Sequence, residues 1–183
     1  MTKLYRLQSA QYGLPKDFLS GRGAEITGGR WNPVGVPVVY TSLTVELAAL
    51  EYLVHYFEGF PNSKLPSMLM ATIEISEKEI LKIESQFLPK NWKDVPAPIA
   101  LQSISSQWFK HRKFAALQLP TAVHSAQTDL SYNVLLNPLH ESVQLNSIIK
   151  IEPFYFDNRY QKPQIQGTQM SDLIEDILGR QYQ

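Results

Sequence analysis

The sequence predicts a mixed α+β domain, and three observations carry that reading. Val36–Thr41 and Leu69–Ile75 have strand character, the first β-branched and aromatic, the second alternating apolar with polar or flexible residues. Val45–Glu58 has the periodicity and both end signals of a helix. The other segments mix strand-like and helix-like runs without the regular βαβ rhythm of a doubly wound sheet.

Taken in order, Lys3–Gln8 alternates as an edge strand would. Val36–Thr41 follows as a short strand with Pro37 near its start, where a missing N–H is tolerated. In the helix Val45–Glu58, Thr44 is the N-cap, Glu46 complements the first-turn dipole, and Gly59-Phe60-Pro61 is the stop. Its apolar stripe reads as Leu47, Leu50, Leu53, Val54 and Phe57. Leu69, Ala71, Ile73 and Ile75 mark a half-buried strand. Residues 84–103 hold Pro89, Pro96 and Pro98 and little periodicity, so they read as irregular with one helical turn. Ser105–Arg112 reads as a short helix, Ala115–Val123 as a strand interrupted by Pro120, and Val134–Leu136 and Ser147–Phe156 as further strands. Gln169–Leu178 is expected to form a surface helix. No linker or repeat divides the 183 residues, so one domain over 1–183 is expected.

Composition excludes several function classes. Seventeen basic residues balance seventeen acidic ones, which is not the basic footprint of a dedicated nucleic-acid binder. No cysteine is present, so disulfides, thiolate nucleophiles and zinc–thiolate sites are out. His55, His111, His124 and His140 show no metal-ligand spacing, so no metal is expected. No apolar run approaches the roughly 20 residues needed to span a bilayer. The N-terminus lacks a signal-peptide core. A cytoplasmic protein without membrane contact is the resulting expectation.

The most informative segment is 21–51. Gly21, Gly23, Gly28 and Gly29, four of the nine glycines, fall within nine residues just before Arg30-Trp31-Asn32. Glycine permits close approach to the main chain, and arginine supplies a fixed charge suited to phosphate. The spacing is neither the G-x-G-x-x-G of a dinucleotide fold nor a Walker loop, and a plain turn would use the same residues. Trp31 suits a stacking platform or a core position equally, and Tyr40 a packed aromatic or a stacking ring. Glu51 lies about 40° from Leu47 on a helical wheel. It therefore borders the apolar stripe, where desolvation and neighbouring charge tune carboxylates.

With these residues laid out, the chain resembles the RES-domain family, the toxins of RES–Xre toxin–antitoxin pairs. Leu4-Tyr5-Arg6 resembles the family's opening strand. Ser20–Ala24, Gly28-Gly29-Arg30-Trp31-Asn32 and Gly35 resemble its most specific block, continued by Val39-Tyr40 and Leu47–Glu51. Leu88-Pro89, Trp92 and Trp108 match its middle landmarks. Asn133–Pro138 with His140 is similar to its N-x-L-x-N-P-x-H stretch, and Phe156-Asp157 with Arg159 to its closing F-D-x-R. The resemblance covers about residues 3–160. One departure stands out: where the family carries serine after a proline, Thr121 follows Pro120. Threonine keeps the hydroxyl and is stiffer and bulkier.

The resemblance implies a bent pair of small sheets with peripheral helices, like the diphtheria-toxin-like ADP-ribosyltransferase fold. It implies an enzyme that cleaves the nicotinamide–ribose bond of NAD as substrate, with no further cofactor. Arg30 would bind the pyrophosphate or ribose side, Tyr40 would stack on nicotinamide, and Thr121 would stand beside it. Arg6 would add a phosphate contact, and Glu51 would stabilise the breaking bond. Gly29, Trp31, Asn32 and Asn133 complete the expected NAD-binding set. The implied partner is an Xre-family helix-turn-helix antitoxin, and a homodimer is compatible with the family. Two alternatives stay open: transfer of ADP-ribose to a protein, and a degenerate fold that only binds.

Overall fold

The computed structural model describes residues 1–60, 63–124 and 131–161; the expected helix Gln169–Leu178 lies outside them. Its elements are β1 (Thr2–Ser9), α1 (Pro15–Phe18), α2 (Arg22–Thr27), β2 (Val39–Ser42), α3 (Val45–Gly59) and β3 (Met68–Ile75). They continue with β4 (Ile80–Lys82), α4 (Ile99–His111), β5 (Ala116–Pro120), β6 (Tyr132–Leu136) and β7 (Ile148–Phe154). The α+β expectation holds.

The strands form one seven-stranded sheet in the order β4-β5-β6-β2-β1-β3-β7. All neighbours are antiparallel except β4 and β5. The expected pair of small sheets is therefore a single sheet, although it has a weak seam. β1 pairs with β3 along eight positions, whereas it meets β2 only at Tyr5↔Ser42. Two well-paired blocks thus join at one point.

Strand alternation sends side chains to two faces. One face carries a core built from Leu4, Val39, Ile73, Val134 and Leu136. The other carries two separate clusters. Trp31, Val38, Leu101, Trp108, Leu117, Leu119 and Leu135 pack under α4, and Leu7, Ala48, Met68 and Met70 pack under α3. The gap between these clusters lies over the β1–β2 seam.

Several expectations need correction. β1 is not an edge strand but sits between β2 and β3. Its polar positions misled because Gln8 and Ser9 are buried and Arg6 is hydrogen-bonded within the fold. β2 begins at Val39 instead of Val36. Residues 99–103 are helical: α4 starts at Ile99 with Pro98 as N-cap, so a proline taken as a breaker is a starter. Its buried stripe, Leu101, Ser105 and Trp108, includes a serine, which diluted the periodic signal. Short elements α1, α2 and β4 were not expected. Thr44 caps α3 as expected, accepting from the Leu47 N–H at 3.1 Å. The stripe of α3, however, is rotated. Leu47 and Ala48 are buried, while Leu50 and Val54 are 38% and 42% exposed. Small residues at 48 and 49 let the helix approach the sheet, which turns Glu51 and Tyr52 inward beside them.

Candidate functional site

The glycine-rich segment is a capped helix followed by a knotted turn. Gly21 has φ +62°, and a Cβ there would meet the Val38 nitrogen at 2.7 Å. Gly28 closes α2 with φ +69°. Both positions favour glycine on backbone grounds. Asn32 is fully buried and ties the turn together. Its Nδ2 donates to the carbonyls of Ala24 (2.8 Å), Val36 (3.0 Å) and Pro33 (3.2 Å), and its Oδ1 accepts from the Tyr40 hydroxyl at 2.7 Å. The Trp31 N–H also donates to that hydroxyl, at 3.3 Å. Gly29 is required by this packing, since a Cβ would lie 2.8 Å from the Tyr40 oxygen and 3.0 Å from Asn32 Oδ1. The close approach that glycine permits is thus taken by Tyr40. Trp31 is 3% exposed in the α4-side cluster, which is the core alternative of the two.

This turn aims Arg30. Its Nη1 donates to the carbonyls of Trp92 at 2.6 Å and Asp94 at 3.1 Å. Nε and Nη2 take no part in those bonds. Partial burial lowers the guanidinium pKa, and the carboxylates of Glu51 and Asp94 oppose that shift. Gln102 of α4 donates to the Gly29 carbonyl at 3.0 Å, tethering the turn from the other side.

Arg6 fills the seam. Beyond Tyr5↔Ser42 the ladder would set Leu7 opposite Tyr40, and that pair is not made. Instead Arg6 Nη1 donates to the Tyr40 carbonyl at 2.8 Å, while Nε donates to Gln8 Oε1 at 3.2 Å. Neither bond goes to a carboxylate, and burial brings the guanidinium down to about 10.

Glu51 reaches into the gap from α3, its side chain 19% exposed. Oε1 accepts from the Thr121 hydroxyl at 2.6 Å and from Asn133 Nδ2. Thr121 follows the last residue of β5, and Asn133 lies on β6. Asn133 Oδ1 in turn accepts from Ser42 Oγ at 2.7 Å, directly across the β2–β6 register. Oε2 faces His55, one turn along the helix, at 3.6 Å. Burial alone would raise the Glu51 carboxyl. Hydrogen bonds from His55, Thr121 and Asn133 outweigh it and leave the pKa below the ordinary value of 4.5. Burial likewise pushes the Tyr40 phenol well above its usual range, so it stays a neutral donor.

The structure therefore brings Glu51, Thr121 and Asn133 into contact, and couples Arg30 and Tyr40 to them electrostatically. Asn32 and Trp31 serve the scaffold through their side chains. So do the downstream landmarks: Asn137 Oδ1 accepts from the Leu139 N–H, His140 Nδ1 from the Ser142 N–H, and Trp108 Nε1 donates to the Phe114 carbonyl. Sequence reasoning missed Ser42, Gln102 and His55. Ser42 shares a strand face with Tyr40, and His55 sits four residues after Glu51, so period alone pointed to both. Gln102 carried no such signal. Among the described residues, no group of three or more His, Asp or Glu side chains is placed to hold a metal ion, and no helix is long and apolar enough to cross a membrane.

One ionised carboxylate, held by neutral donors in a half-buried gap and faced by a cation, is equipped to stabilise positive charge that develops on a bound molecule.

Comparison with known proteins bears on this arrangement. The signature described as "RES domain" matches residues 3–157. "Toxin Res" of Yersinia enterocolitica is 34% identical over 158 residues, covering 85% of this chain and 97% of that protein. "Prs ADP-ribosylating toxin" of Sphingobium sp. strain YBL2 is 33% identical over 162 residues, covering 86% and 96%. A chain from the crystal structure of the M. tuberculosis MbcT–MbcA toxin–antitoxin complex superposes with a TM-score of 0.64. It is 17% identical and covers 84% of each chain, a likeness of fold. With a signature along most of its length and relatives about a third identical over nearly their own whole lengths, this chain belongs to the RES-domain family.

Proposed function

We propose that the chain is the toxin of a toxin–antitoxin pair and an enzyme that uses NAD, cleaving its nicotinamide–ribose bond in the cytoplasm. The observation that carries this reading is the Glu51 carboxylate, ionised and fixed by Thr121 and Asn133 in the gap between the two clusters. The printed names of the relatives support the toxin class, and one of them is called ADP-ribosylating. The antitoxin would be of the Xre helix-turn-helix type. The seven-stranded sheet with its seam would be a form of the diphtheria-toxin-like ADP-ribosyltransferase core.

The chemistry suits these groups. As the bond from the anomeric carbon to the pyridinium nitrogen breaks, its electron pair leaves with nicotinamide, which departs neutral and needs no acid. The ribose gains oxocarbenium character, which the Glu51 negative charge stabilises. An acceptor oxygen, from water, phosphate or a protein, then bonds to that carbon and loses a proton. A single carboxylate suffices, whereas hydrolysis of ordinary glycosides uses two. Arg30, with Nη1 anchored, keeps Nε and Nη2 for the pyrophosphate. Thr121 supplies the hydroxyl that serine supplies elsewhere in the family.

Purified protein given NAD should release nicotinamide, Glu51→Gln should lose that activity by several hundredfold, and Arg30→Ala should raise KM. Turnover by Glu51→Gln at the wild-type rate would overturn the reading. The relative named as ADP-ribosylating favours a second form of the same chemistry, with a protein as acceptor. Labelled NAD in lysate would then mark a protein band, with free ADP-ribose a minor product.

A further inference from the structure

The strands claim only one oxygen of Glu51. Thr121 and Asn133 both donate to Oε1, and both are uncharged. Oε2 is left to the helix's own ridge, where His55 stands one turn on and Glu58 a further turn beyond. His55 Nε2 lies 3.6 Å from Glu51 Oε2, and its Nδ1 lies 3.7 Å from Glu58 Oε2. The His55 side chain is 70% exposed, while that of Glu51 is 19% exposed. A titratable ring open to solvent thus touches the free side of a largely enclosed carboxylate.

We propose that His55 is an acid-sensitive brake on Glu51, a positioning residue whose charge sets how much negative potential the carboxylate offers the substrate. The inference rests on the role given to Glu51 above. When His55 is protonated, its charge offsets that of Oε2, and the developing cation on the ribose meets a weaker field. When it loses the proton, Glu51 regains its full effect while Oε1 stays fixed by the strands. Proximity of Glu51 raises the His55 pKa above 6.5; burial opposes this and Glu58 reinforces it. Activity should therefore climb with pH through a value above 6.5. The other ionisable groups around the carboxylate keep their protonation state over that range. Arg30 acts on Glu51 at longer range and remains cationic, and the Tyr40 phenol remains neutral. His124, three residues beyond Thr121, is the other imidazole near in sequence and serves as the control.

The test is the pH profile of kcat for nicotinamide release between about pH 5.5 and 8.5, with KM followed alongside. Wild type should rise about fivefold across the limb, a modest factor because an exposed ion pair is screened. His55→Gln should be flat at the upper level, and His55→Lys flat at the lower one, with KM for NAD little changed. His124→Gln should keep the wild-type limb. A limb that survives in His55→Gln would overturn the brake. So would a uniform loss in both His55 variants, which would mark a purely structural role. If Glu51→Gln turns over NAD like wild type, the underlying reading fails instead. Independently of turnover, the His55 ring titration followed by NMR should move to lower pH in Glu51→Gln. An unmoved titration would sink the coupling.

Discussion

Thr121→Val isolates the hydroxyl at the position where the family resemblance leads one to expect serine. Valine keeps the shape and removes the donor. The bond it removes is short, 2.6 Å, charge-assisted and buried, with Thr121 only 3% exposed, so water does not readily replace it. A hydrogen bond to a charged group contributes about 1.5–3 kcal/mol. Burial pushes the Glu51 carboxyl up and its hydrogen bonds hold it down. Loss of one donor therefore shifts it upward. The sign for stability follows from the depressed wild-type value. Below-normal pKa in the folded state means that Glu51 adds stability above its unfolded value of 4.5, lost as pH falls through the folded value. In Thr121→Val that contribution shrinks, and acid unfolding begins at higher pH. Urea titrations at pH 7 and pH 4 should show a loss of about 1–3 kcal/mol at pH 7, with a smaller gap at pH 4. The kcat for nicotinamide release should fall at least about tenfold, from a carboxylate whose Oε1 is held by Asn133 alone. Thr121→Ser keeps the donor and should preserve or raise the rate. A Thr121→Val protein with wild-type kcat and an unmoved acid transition would refute the claim that this hydroxyl sets the state of Glu51.

Two further outcomes concern the turn that aims Arg30. Gly29→Ala places a Cβ against the Tyr40 oxygen and Asn32 Oδ1, so urea unfolding should show a loss of about 1–3 kcal/mol. Gly23→Ala, inside α2 with nothing within 4 Å of the added carbon, should instead be neutral or stabilise by up to about 1 kcal/mol. Equal losses in the two would disprove the packing account of Gly29. Tyr40→Phe leaves Asn32 Oδ1 and the Trp31 N–H without their shared partner. It should cost about 1–3 kcal/mol by denaturant midpoint, and a cost under about 0.5 kcal/mol would show that the hydroxyl is not a structural tie.

The sequence made the strands legible where apolar residues recur at period two, and misjudged which faces are buried. Leu69–Ile75 is a strand as its alternation predicts, but it is not half-buried: Met70 and Thr72 are enclosed along with Ala71 and Ile73, because β3 lies inside the sheet between β1 and β7. β1 read as an edge because Arg6, Gln8 and Ser9 look solvent-facing, whereas Gln8 and Ser9 are buried and Arg6 is bonded within the fold. The stripe of α3 was placed by hydrophobicity, but the helix docks on its small residues, and no single-helix pattern distinguishes a leucine facing the sheet from one facing a groove. Leu50 and Leu53 line such a groove with Phe154, Phe156 and Tyr160. At the site, Glu51 stood out because a carboxylate beside an apolar stripe demands a partner. Which partner it finds depends on contacts between residues 70 and 82 positions apart, which no local spacing encodes. The resemblance to a family could select Thr121 and Asn133, but could not separate residues that meet the gap from those that hold it. Asn32 belongs to the same block as Arg30, yet all of its amide bonds stay within the fold.

The seam accounts for why a polar gap persists at the centre of this sheet. A fully zipped β1–β2 ladder would satisfy the Tyr40 carbonyl with a backbone N–H and draw the clusters under α3 and α4 together. Pairing at Tyr5↔Ser42 alone leaves that carbonyl to Arg6. Burying a guanidinium without a carboxylate is unfavourable for stability alone, because the charge is desolvated and only neutral acceptors answer it. An apolar residue at position 6 would avoid that cost but leave the carbonyl unpaired. That cost would fall if an anion met the buried Arg6 charge on binding, since phosphate is the acceptor a guanidinium suits. Protein in saturating NAD should then gain thermal stability, and Arg6→Met should lose most of that gain. A gain undiminished in Arg6→Met would leave Arg6 as a strut of the seam and nothing more.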